Sequence, residues 1–149
     1  MKKFTIKEDT YGVDLEIITD CTLEELGAYL QRILPDSHLP ENFFDSRCRA
    51  KFTYDVETNY RSIWFPQFTG SLEAAGFINH EILHYVFYVL RSVGIPLCFE
   101  TEEAYTYLYQ STFNKLWSKL HPALKSSGGS AKPTKKKSRG KTRQPRRKK

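Results

Sequence analysis

From Leu72 to Val93 the chain carries its longest helical repeat, LEAAGFINHEILHYVFYVLRSV, and this segment limits what the rest can become. Ser71 is placed to cap its start, Glu73 lies in the first turn, and Gly94 and Pro96 end it. In its second half Ile82, Leu83, Val86, Phe87, Val89 and Leu90 leave hardly any side polar. A helix this apolar is normally buried, so the remaining sequence must supply surfaces to cover it. With 149 residues, 40% hydrophobic and 14% aromatic, there is material for one domain with a real core.

Those surfaces are legible. FTIK (4–7) and VDLEIIT (13–19) alternate apolar and polar residues around the turn EDTYG and predict a hairpin, with Val13, Leu15 and Ile17 facing inward. RAKFTYD (49–55) and YRSIWFP (60–66) predict a second hairpin, with Ala50, Phe52 and Tyr54 inward. Thr22 and Glu25 form a capping box before a helix that Pro35 ends, and a last helix runs from about Thr101 to Leu120. The loop over 35–47 is expected to be pinned by Phe43 and Phe44. The expected fold class is α+β, a small antiparallel sheet of about four strands packed with three helices over residues 1–124.

The formal charge of +6 hides two parts. Of 23 Lys and Arg, 12 lie in residues 125–149, which hold no Asp or Glu; the remaining 11 face all 17 acidic residues, a balance of −6. Residues 125–149 have no aliphatic side chain larger than alanine and are expected to be a disordered basic tail. Their cations would attract nucleic acid through counterion release, without sequence preference since no aromatics interleave them. Cys21, Cys48 and Cys98 are odd in number and form no CxxC pair, which argues against a disulfide framework or a cysteine zinc site. MKKFTIKEDTYG lacks the apolar core of a signal peptide, and the run from Ile82 to Leu90 is too short to span a bilayer, so a soluble, cytoplasmic protein is expected.

Within the long helix stands His80-Glu81-Ile82-Leu83-His84, an HExxH pattern. Residues i and i+4 project from one helix face, so two imidazoles can converge on one ion at about 2 Å, with the glutamate beside that face, in reach of a metal-activated water. On so apolar a helix the three polar groups are also expected to be buried, and an ion would satisfy them. A catalytic zinc needs a third protein ligand, and FETEEAYTYL offers Glu100, Glu102 and Glu103. Acidic residues in a helix's first turn also suit its dipole without any metal, and the apolar face of that helix lies nearer Glu102.

Counting on from His84 gives HExxH-x18-Glu103, and here the chain resembles the gluzincin branch of the zincin metallopeptidases. It is similar, too, to small phage-encoded HExxH proteins with a downstream ExxAYL segment, matched by EAYTYL (103–108) with threonine in place of alanine; the resemblance covers about residues 58–120. It implies a minimal zincin-like fold, zinc (Zn2+) held by His80, His84 and Glu103, Glu81 as general base, a peptide or protein substrate, and host cytoplasm if phage-encoded. It also implies a strand with an open edge before the helix, the position of YRSIWFP. A second oxyanion donor is left open among Tyr105, Tyr107, Tyr109 and His121, and Asn79 or Cys98 could support the site, Cys98 reading otherwise as a small buried hydrophobe. The other function class open to this sequence is a non-catalytic, nucleic-acid-associated or structural protein on the same scaffold.

Overall fold

The computed structural model describes residues 1–36, 39, 43, 45 and 47–121. Its elements are β1 (Lys2–Ile6), β2 (Leu15–Thr19), α1 (Leu23–Ile33), β3 (Lys51–Asp55), β4 (Tyr60–Phe65), α2 (Leu72–Ser92) and α3 (Glu102–Leu120), with a 3-10 turn at Phe99–Thr101. This is the expected α+β class, four strands and three helices. The basic tail and Phe44 lie outside the described residues.

The sheet order is β1-β2-β4-β3. Both hairpins are antiparallel as expected, but β2 and β4 pair in parallel, so the sheet is mixed rather than antiparallel throughout. Composition decides which strand of the second hairpin docks on β2. β4 places Ile63 and Phe65 on one face and Trp64 on the other, all buried, and so suits the doubly covered centre. β3, with Lys51, Thr53 and Asp55 alternating along it, is left at the edge.

Each face of the sheet has its own core. On one, Ile18 and Trp64 meet Leu26, Tyr29 and Leu30 of α1. A capping box fixes the start of α1: Thr22 Oγ1 accepts from Glu25 N at 3.2 Å and Glu25 Oε2 accepts from Thr22 N at 2.8 Å. At the rim of this layer Glu16 accepts hydrogen bonds from Tyr29 at 3.0 Å and Tyr60 at 2.6 Å. Burial, then the bond to Glu16, raises the Tyr60 phenol well above its ordinary range.

On the other face Leu15, Ile17, Ile63 and Phe65 receive Ile78, Ile82, Tyr85, Val86 and Val89 of α2 and Leu108 and Leu116 of α3. Tyr85 is fully buried, and its hydroxyl donates to Val13 O at 2.8 Å, tying α2 to the strand-leading segment of β2. The helix is not covered all round, however: Leu83 is 45% and Phe87 38% exposed. Two outcomes follow for equilibrium denaturation. Ile82→Ala should lose about 2–5 kcal/mol, because a fully buried side chain leaves a cavity, whereas Thr22→Ala should lose about 1 kcal/mol through its cap.

Candidate metal centre

The seating of α2 fixes where its polar residues point. Ile82 faces the core, and His80 and His84, two residues to either side, therefore lie roughly 160–200° around the helix from it. Both histidines are exposed, so the expectation that they are buried groups in need of an ion is corrected. One stripe of an amphipathic helix suffices to fill this core, and the opposite side remains in solvent.

His80 and His84 nonetheless converge. Their Nε2 atoms are 3.0 Å apart and the rings stand at 82°. That spacing is a hydrogen bond whose donor is set by the tautomer, and it is within a few tenths of an ångström of the ~3.3 Å between two nitrogens on one tetrahedral zinc. The i, i+4 geometry of a straight helix thus brings the two nitrogens to the spacing a zinc ion requires.

Glu81 lies on the flank toward β3. Its Oε2 accepts from Phe52 N, on the sheet's open edge, at 2.6 Å. Since Phe52 N points away from β4, alternation turns the amide and carbonyl of Tyr54 outward too. Here the sequence expectation fails: YRSIWFP, as β4, is paired on both sides, and among the described residues β3 is the strand of this hairpin at the sheet's edge. The residues beside Glu81 that sequence reasoning passed over are Phe52, through its amide, and Cys48. A cleft of about 330 Å³ is lined by Cys48, Phe52, Tyr54, Glu81 and His84. The Cys48 thiol donates to Ala50 O at 2.8 Å, and burial, opposed by Lys51 and aided by Glu81, pushes it above its usual range. The alternating polar residues of β3 were the available signal for an edge; nothing in the sequence linked Cys48 to the helix.

Among the described residues Glu103 does not join His80 and His84 in a group that could hold an ion. The rings of Phe87 and Tyr105 are 5.2 Å apart, and a Cβ built on Gly70 would lie 3.7 Å from His121, so α2 and α3 run antiparallel with His84 level with about residue 108. Glu103 then stands roughly 7 Å further along the axis. It also projects away from the stripe of Tyr105, Leu108, Thr112 and Leu116, while Glu102 lies beside it; both glutamates are exposed. Among the described residues no three His, Cys, Asp or Glu side chains gather into a group that could hold an ion.

The remaining candidates have other settings. Tyr105 donates to Ile95 O at 2.9 Å, Tyr107 is 60% exposed, and Tyr109 stacks on Phe113. His121 packs against Phe68 and Trp117 at the far end of α3. Cys98 is exposed with its sulfur 3.3 Å from Thr101 Oγ1, so its reading as a buried hydrophobe is corrected. Asn79 Oδ1 and His121 Nε2 are both buried with no hydrogen-bond partner among the described residues. No helix among the described residues is long and apolar enough to cross a membrane.

Compared with known protein families, curated proteins and solved structures, the chain matches none.

The Glu81–Phe52 contact has a direct consequence for hydrogen exchange. Glu81→Ala should speed exchange at the Phe52 amide roughly tenfold or more, the worth of a hydrogen bond to a charged acceptor, while core amides of α2 keep their rates.

Proposed function

We propose that the chain is a zinc-dependent peptidase acting at the outer face of α2. The reading rests on one observation, the two converging imidazoles of an HExxH turn beside a carboxylate that touches the open edge of a sheet. Two imidazoles with oxygen donors suit zinc. His80 and His84 would hold the ion. Glu103 is the third ligand in this proposal; it rests on the resemblance in spacing, not on the contacts of α3. Bound zinc would supply Lewis acidity, lowering the pKa of a water toward neutrality so that it can attack a peptide carbonyl.

The chain's own residues do the rest. Glu81 Oε2 is held by Phe52 N, which leaves Oε1 to take the water's proton and pass it to the leaving amine. The outward amide and carbonyl of Tyr54 would give an extended peptide a strand to pair with. Residues 125–149 are proposed to bring the protein onto nucleic acid by charge alone.

Metal analysis and peptide hydrolysis test this together. His84→Ala should lose bound zinc; Glu81→Gln should keep zinc and lose hydrolysis by about 100-fold or more. Glu103→Gln should weaken zinc binding at least tenfold, and Glu102→Gln should not. Protein purified without metal, and unable to take up zinc, would rule the proposal out. Zinc with no Glu81-dependent hydrolysis would instead favour a scaffold without catalysis. Deleting everything after Leu124 should abolish DNA binding at low salt, and unchanged binding would remove that role for the tail.

A further inference from the structure

We infer that the hollow along α2 before the histidine pair selects a substrate by one aromatic side chain, and that Arg49 is the residue that reads it. This deepens the peptidase reading and takes its setting from it. The hollow, about 250 Å³, lies between the start of α2 and the segment leading into β3. Phe65, Pro66, Ala74, Phe77 and Ile78 form the apolar half of its lining, and Arg49 and Glu73 are among the polar residues of the other half. That volume is below the range of cavities for drug-sized ligands and suits a single side chain.

Its position ties it to the candidate site. Phe77 precedes His80 by three residues and Glu81 by four, so it stands one turn before them on neighbouring faces of α2. Arg49 precedes Phe52 by three residues, about 10 Å of extended chain. A peptide laid along the edge of β3, paired at the outward groups of Tyr54 because Glu81 already holds the Phe52 amide, therefore brings a residue about five positions away over the hollow.

The chemistry of the lining specifies that residue. Phe77 is 38% exposed, an apolar surface that gains by being covered. The lining holds one cation and one anion, Arg49 and Glu73, so net charge does not favour an acidic or basic guest. Among the described residues Arg49 forms no hydrogen bond or ion pair, which leaves its guanidinium available to lie on a ring face. An aromatic ring uses both features at once: its body meets the apolar walls and its face meets the cation.

Titration of N-acetyl-L-phenylalanine amide into the full-length protein, followed by the methyl NMR signals of Ala74 and Ile78, tests this without any bond being cut. These methyls should shift upfield and saturate. N-acetyl-cyclohexylalanine amide, equal in bulk but without a π face, should bind about 2- to 5-fold more weakly, and exposed-site Arg49→Ala should erase that difference. Ala74→Trp should abolish the Ile78 shift while methyls of α1 stay in place. Unmoved Ala74 and Ile78 methyls would overturn the inference, as would equal binding of the two amides to the wild type or tighter binding of N-acetyl-glutamate amide. Because binding alone is read, loss of the peptidase reading through absent zinc or absent hydrolysis gives a separate, distinguishable result.

Discussion

The stripe Ile78, Ile82, Tyr85 and Val89, pressed onto Ile17 and Ile63, is the contact on which the molecule's chemistry depends. Once those side chains are buried, the rotation of α2 is fixed, and every other residue on it has a determined direction. Ile82 inward means His80 and His84 outward, and Glu81 turned to the flank where β3 ends the sheet. The buried Tyr85 hydroxyl adds a directional bond to Val13 O, so the helix is set in register as well as in rotation. A change in that stripe would therefore act on the candidate site without touching it.

Sheet topology supplies the second half of the arrangement. A purely antiparallel sheet could have ended on either strand of the second hairpin. The strand with buried residues on both faces takes the centre, which leaves the half-polar strand at the sheet's end, beside the helix. Glu81 and the open edge meet because β4 is too apolar to be anything but interior. The contact between Glu81 and Phe52 N then links the base to the same edge on which a peptide would be aligned.

Much of this was legible in the residues. The capping box at Thr22 and Glu25, the alternation in both hairpins and the stop signals Gly94 and Pro96 are local rules, and local rules place elements well. The convergence of His80 and His84 was legible for the same reason, since i and i+4 adjacency is a property of a single helix. What was misread depended on neighbours. The apolar second half of α2 suggested burial on every side, yet one sheet and one helix cover only part of it, and Leu83 and Phe87 remain exposed.

The sequence by itself therefore determined the four strands, the three helices, the histidine pair and the division of charge between body and tail. It did so because each is encoded by residues within a few positions of one another. Only the tertiary structure decided that β2 and β4 pair in parallel, that β3 rather than β4 offers the edge, and that Cys48 shares a cleft with Glu81. Those outcomes follow from which apolar surfaces find each other across the chain, and no local pattern carries that choice.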